Sequence, residues 1–228
     1  MTPPSADSGR GRLGIFGGTF DPIHLGHLRA VQEVAEELEL AQVLFMPCAD
    51  PPHPKDVRAP AADRLEMARL AVDPNPRFAV CDLEVRRGGK SFAVDSLEEL
   101  ARQCPGRPLC WLIGADAFFS LHAWYQPRRL FDLADFVVMT RPGSPGRDLL
   151  QYLTHYLDPA FRPAPQGWMR LPNGRGAKLL TTTLLDISST DIRRRAAQGL
   201  SLTYLVPPAV EDYICRMKLY GMPGGEEA

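Results

Sequence analysis

GIFGGTFDPIHLGH, residues 14–27, joins an apolar run to a tight glycine turn and ends in two histidines three residues apart. Leu13–Phe16 has the character of a buried strand, and Gly17 and Gly18 then allow backbone angles and a close ligand approach that side chains would forbid. Asp21-Pro22 punctuates the turn. From Leu25 onward, apolar residues at Leu28, Val31, Val34, Ala35 and Leu38 follow helical spacing, so the element reads strand, glycine loop, helix. The first turn of a helix leaves N–H groups unpaired and carries partial positive charge, which suits a phosphate. A Walker loop would need Gly-Lys-Ser/Thr, and a dinucleotide fingerprint would need the GxGxxG spacing; Gly14, Gly17 and Gly18 supply neither. What remains is His-x-Gly-His. His24 and His27 at i and i+3 share a helix face, with Gly26 between them keeping the backbone accessible, so two donors can reach one phosphate. Zinc is the competing use of paired histidines, but no Cys, Asp or Glu is spaced as a third ligand, and no metal site is expected on the protein.

The chain has 228 residues, 45% of them hydrophobic, and a formal charge of −1. That balance carries no electrostatic footprint for nucleic acid or a membrane surface, and points to a small-molecule partner. The opening MTPPSADSGRGR lacks the apolar core of a signal peptide, and no run of about 18 apolar residues marks a membrane span. Cys48, Cys81, Cys104, Cys110 and Cys215 form no CxxC pair, which favours reduced thiols and a cytoplasmic location. Strand-like runs at Leu13–Phe16, Val43–Pro47, Phe78–Val85, Leu109–Ile113, Phe136–Thr140 and Leu179–Leu185 alternate with helical patterns. The helices are expected near Leu28–Leu38, Ala61–Ala71, Ala93–Arg102, Ala115–Leu121, Thr190–Gln198 and Pro208–Leu219. The fold class is therefore α/β: a Rossmann-like parallel sheet with helices on both faces and a small C-terminal helical part. One domain over residues 11–221 is expected, with disordered tails at 1–10 and 222–228 and a Pro/Gly-rich insertion at about 142–177. Within that insertion Leu149, Leu150, Leu153 and Leu157 could make one helix, the rest reading as loop, with a lid or a subunit contact as its expected use. Homo-oligomerisation is left open.

Three further segments carry chemistry. Ile187-Ser188-Ser189-Thr190-Asp191-Ile192-Arg193 reads as a second capped helix start; on composition alone its Arg193-Arg194-Arg195 run is a solvated face. Trp111-Leu112-Ile113-Gly114-Ala115-Asp116 ends a buried strand with a small residue and a carboxylate that could equally cap the next helix. Trp124-Tyr125 sits among polar residues, as a loop aromatic would.

GGTFDPIHLGH resembles the signature of the HxGH nucleotidyltransferase superfamily, and within it most closely that of the bacterial nicotinate mononucleotide adenylyltransferases. The resemblance covers most of Leu13–Tyr220 and implies the nucleotidyltransferase fold. It implies His24, His27 and Arg193 as catalytic, with ATP bound by Gly17, Gly18, Thr19, Phe20, Gly26, Gly114, Asp116, Ile187, Ser188, Ser189, Thr190 and Arg193. Ile187–Arg193 is similar to the family's ISSTxIR phosphate segment, and IGAD to the segment near the adenosine sugar. Trp124 and Tyr125 fall where relatives cover the pyridine ring, so the acceptor is expected on Lys55, Ala93, Val94, Trp124 and Tyr125. The implied partners are ATP, with Mg²⁺ carried on its phosphates, and nicotinate mononucleotide. Nicotinamide mononucleotide or phosphopantetheine as acceptor, or a non-catalytic nucleotide sensor, are the alternatives.

Two departures stand out. Family members often read Ser-Tyr-Thr where this chain has Ser91-Phe92-Ala93, so the hydroxyl is lost and acceptor recognition would lean on backbone N–H groups near Val94 or on water. The family's Pro-Pro-His-Lys run appears as Pro51-Pro52-His53-Pro54-Lys55, displacing the lysine by one residue.

Overall fold

The computed structural model of the chain describes residues 11–52, 56–140, 148–183 and 185–223. The apolar run at Leu13 becomes β1 (Leu13–Gly18), and the helical spacing after the glycine loop becomes α1 (Leu25–Glu37). The chain continues through β2 (Gln42–Pro47), α2 (Ala61–Val72), β3 (Phe78–Val80), α3 (Leu83–Arg87) and α4 (Ala93–Gln103). Next come β4 (Leu109–Gly114), the single turns α5 (Ala115–Phe118) and α6 (Leu130–Leu133), β5 (Ala134–Thr140) and α7 (Leu149–Tyr152). The last elements are β6 (Arg162–Pro163), β7 (Trp168–Arg170), β8 (Gly176–Thr181), α8 (Ser189–Ala197) and α9 (Pro208–Arg216).

The strands form one sheet in the order β3-β2-β1-β4-β5-β8-β7-β6. The pairs from β3 through to β8 are parallel, and only β6–β7 and β7–β8 are antiparallel. Helices cover both faces, so the central strands are apolar on alternate sides rather than on one. Phe16, Phe45, Leu112 and Val137 pack on one face with Val31, Met67, Ile192 and Val210. Ile15, Leu44, Trp111, Phe136 and Val138 pack on the other with Leu97, Phe118 and Leu153. Phe45 and Phe136 are fully enclosed, and truncating either to alanine would cost about 3–5 kcal/mol. The sheet changes its winding direction between β1 and β4, and the loops leaving those two strands diverge to open a crevice.

Four sequence expectations are corrected. The strand expected over Phe78–Val85 stops at Val80; Cys81 N–H still donates to Phe45 O (2.9 Å), after which the Asp82 carbonyl accepts from Arg86 N–H (2.8 Å) and the chain turns into α3. The helix expected over Ala115–Leu121 ends at Phe118 and is followed by a separate tight turn, Leu121–Ala123. Among its described residues, 148–177, the insertion is not mainly loop. After α7 and a wide helical turn at Leu153–Leu157 it adds β7 and β6 to the sheet edge, where Trp168 is buried beneath the Arg170 guanidinium, 3.9 Å from the ring centre. Arg170 also pairs with the buried Asp135 of β5 at 2.7 Å. Met222, expected in the C-terminal tail, packs against the core. Residues 1–10, 141–147 and 224–228 lie outside the described residues. Among the described residues no helix is long and apolar enough to cross a membrane, and all five cysteines carry free thiols.

Candidate active site

The glycine loop leaves the end of β1 at the crevice. Gly17 is required there by close approach, because a Cβ would lie 2.8 Å from the Trp111 ring. Phe20 then adopts a left-handed backbone (φ +50°), which costs a non-glycine residue about 1–2 kcal/mol unless its neighbours hold it. They do. Asp21, buried at the next position, accepts from Arg58 N–H (2.7 Å), Ala59 N–H (3.0 Å) and the Tyr220 hydroxyl (2.8 Å). Burial beside Asp21 pushes the Tyr220 phenol well above its ordinary range, so it stays a donor. On the other side Thr19 O accepts from the enclosed guanidinium of Arg64 (2.7 Å).

His24 is the N-cap of α1 and His27 its third residue. Their rings stack with centres 3.6 Å apart, and His27 meets Phe20 edge-on at 5.4 Å. Gly26 makes room for this stack, since a Cβ there would sit 3.1 Å from His24 Nδ1. His27 Nδ1 accepts from His24 N–H (3.3 Å), which leaves the ring proton on Nε2. His27 lines a cavity of about 390 Å³; His24 is buried behind it and lines neither cavity described here.

That first cavity is closed from the far end of the chain. Ser188 caps α8 by accepting from Asp191 N–H (3.1 Å), and Ser189 Oγ donates to Pro22 O (2.9 Å). Arg193 Nη1 donates to Asp21 O (2.8 Å), while its Nη2 reaches Thr190 Oγ1 (3.4 Å). Ser189, Thr190 and Arg193 therefore face Gly17, Gly18, Thr19, Phe20 and His27 across one opening. Two helix starts, α1 and α8, flank it. Ile187 packs against the core.

A second cavity, about 450 Å³, lies on the other side of the same loop and shares Phe16–Thr19 with the first. Trp111, Phe92, Trp124 and Tyr125 line it with Gly114 and Ala93. Tyr125 packs on Phe92 at 4.9 Å but is half exposed. Gly114, expected with ATP, thus stands on this aromatic side, and Asp116 is exposed and lines neither cavity, because α5 carries it outward from the end of β4. The Val94 side chain belongs to the core. Lys55 lies outside the described residues. Glu84 also lines this cavity, where Ser96 Oγ donates to it (2.6 Å); burial pushes its carboxyl above the ordinary range.

Arg64, Glu84 and Tyr220 are residues of the site that the sequence reading did not single out, and Asp21 it read only as turn punctuation. For Arg64 a signal existed: at helical spacing it shares a face with Met67, Ala68 and Ala71, an apolar stripe on which a charge is out of place.

Residues 15–195 match the family model described as cytidylyltransferase-like. A probable nicotinate-nucleotide adenylyltransferase of Desulfatibacillum aliphaticivorans is 43% identical over 216 residues, covering 92% of this chain and 99% of the relative. The chain belongs to the nicotinate-nucleotide adenylyltransferase family. A probable member from Syntrophotalea carbinolica is 45% identical over 92% of this chain and 97% of its own length. Among solved structures, the Plasmodium falciparum nicotinic acid mononucleotide adenylyltransferase complexed with NaAD has the same fold, with a TM-score of 0.70 at 16% identity over 94% of this chain and 99% of that one. The family's loop, in this chain, is the partition between the polar and the aromatic cavity.

Proposed function

We propose that this enzyme transfers the adenylyl group of ATP to nicotinate mononucleotide, forming deamido-NAD and pyrophosphate in the cytoplasm. The observation that carries the reading is the pair of cavities meeting at Phe16–Thr19, one polar with His27, Ser189, Thr190 and Arg193, the other apolar and flat-sided with Trp124 and Tyr125. ATP phosphates suit the first. A pyridine ring gains area burial in the second, and about 0.5–1.5 kcal/mol beyond that from ring geometry.

The acceptor phosphate is already ionised near neutral pH, so its oxygen attacks the α-phosphorus without a protein base. One bond forms from that oxygen to the α-phosphorus, and the bond from the α-phosphorus to the oxygen it shares with the β-phosphorus breaks, pyrophosphate leaving with that oxygen and the electron pair. The obstacle is anionic repulsion, so catalysis consists of alignment and fixed positive donors. His27 Nε2–H, Arg193 and the N–H groups of the loop and of α8 supply them; His24, stacked behind, holds the His27 ring in place. The chemistry Mg²⁺ would supply, carried on the ATP phosphates, is neutralisation of part of their charge. The protein's donor set fits a metal carried by the nucleotide, since the Asp21 oxygens are occupied by N–H and O–H donors.

Pyrophosphate release from ATP, measured with nicotinate mononucleotide, nicotinamide mononucleotide and phosphopantetheine in turn, tests the reading. Release with the first at the highest kcat/KM is expected. Preference for the amide would instead implicate Glu84, whose carboxyl can accept from an amide N–H₂. Nucleotide binding without release in any arm would make the chain a sensor.

A further inference from the structure

Arg64 has no part in the chemistry above, yet it is among the most enclosed side chains of the protein, 1% exposed. Its guanidinium donates to three backbone carbonyls, Thr19 O (2.7 Å, Nη1), Ala49 O (3.0 Å, Nη2) and Ala59 O (3.2 Å, Nε). Nη1 also lies 3.8 Å from Cys48 Sγ. None of the ion pairs among the described residues includes it. The charge of this buried cation sits under the loop dividing the two cavities.

The peptide joining Thr19 to Phe20 has two ways to face. In a planar trans peptide the C=O and the N–H point in opposite directions, so turning Thr19 O down onto Arg64 turns Phe20 N–H away from it. Phe20 lines the polar cavity, and its N–H takes part in no hydrogen bond among the described residues. Phe20 has a left-handed backbone beside this peptide, and Asp21 accepts from the N–H of Ala59, the residue whose carbonyl Arg64 holds, which secures the following peptide. The geometry points to Arg64 as a positioning residue that locks the Thr19–Phe20 peptide with its N–H, rather than its carbonyl, presented to the phosphates. This rests on the adenylyl-transfer reading for its consequence in turnover, but not for the orientation itself. Lysine keeps the charge and loses the fork, since one ammonium group cannot hold carbonyls from three separate loop segments in the same geometry.

The test uses the full chain, ¹⁵N-labelled, with inorganic pyrophosphate as probe. In the wild type, pyrophosphate should shift the Phe20 amide and leave the Arg64 side-chain N–H signals in place. In Arg64→Lys the Phe20 amide should no longer respond, and kcat should fall about 100-fold, the cost of losing one fixed donor to a developing anion, with KM for ATP and acceptor changed less than about 3-fold. Wild-type kcat in Arg64→Lys, a fall that merely tracks the folded fraction, or a Phe20 response equal to that of the wild type would each overturn the proposal. If the variant does not fold, the wild-type titration decides alone: Arg64 signals that move while the Phe20 amide does not would make Arg64 a direct phosphate ligand and sink the idea. A wild type that shifts Phe20 yet releases no pyrophosphate with any acceptor refutes the adenylyl-transfer reading and leaves the positioning role standing.

Discussion

The two cavities share a wall but are built on opposite principles. The polar one is made of groups fixed by backbone bonds: Arg193 held by Asp21 O, Ser189 by Pro22 O, His27 by His24 N–H. The aromatic one is made of surfaces, and its outermost ring, Tyr125, is half exposed and held by packing on Phe92. Fixed donors reward a charge distribution that exists only in the transition state, whereas flat apolar walls bind ground state and transition state alike. Damage to the first cavity should therefore appear in kcat and damage to the second in KM.

The sharpest way to break that division is His27→Ala, expected to lower kcat by about 10²–10³-fold while the ATP Kd, measured by calorimetry, changes less than about 3-fold. A near-normal turnover would remove His27 from the transition state. Arg193→Ala should cost about 100-fold in kcat/KM for ATP under steady-state assay, because the charged fork serves both binding and the developing anion. Trp124→Ala should raise the acceptor KM about 10-fold, near 1.4 kcal/mol, with kcat almost unchanged; a loss confined to kcat would erase the contrast between the halves. Tyr220→Phe deletes one donor to the buried Asp21 and should cost about 1 kcal/mol, a Tm shift of roughly 2–4 °C by calorimetry, with a few-fold loss of kcat as the loop loosens. The smallest effect concerns Glu84. Its folded-state carboxyl titrates above the ordinary 4.5, so the folded state binds that proton more tightly than the unfolded chain does. The stability it contributes is complete below about pH 4.5 and is lost as pH rises through the raised folded value. Urea melts across that window should show the wild type losing stability relative to Glu84→Gln as pH rises.

The same contrast explains what the sequence disclosed. The β1–loop–α1 unit was legible because strand period, glycine punctuation and helical spacing agree within residues 13–38. Arg193 and Trp124 were legible only through resemblance, since a basic run and a loop tryptophan have ordinary uses. α3 was hidden because Phe78, Val80, Leu83 and Val85 mimic a strand pattern, and a helix of five residues is set by what it packs against. β6 and β7, two and three residues long, are too short for alternation to register, and Pro163 makes up half of β6. The insertion's contribution to the sheet edge is thus a tertiary decision. The roles of Arg64, Asp21 and Tyr220 escaped for a related reason. They are hydrogen bonds to partners distant in the chain, which no local periodicity encodes.

The Tyr220–Asp21 bond joins residues 199 positions apart, almost the whole length of the chain. A ribosome delivers Asp21 first and Tyr220 nearly last, so every strand of the sheet can be synthesised before the partner that clamps the loop exists. The order of synthesis thereby acts as an inspection step: a polypeptide cut short before Tyr220 can own all its strands and both histidines and still lack the tie that fixes them for work.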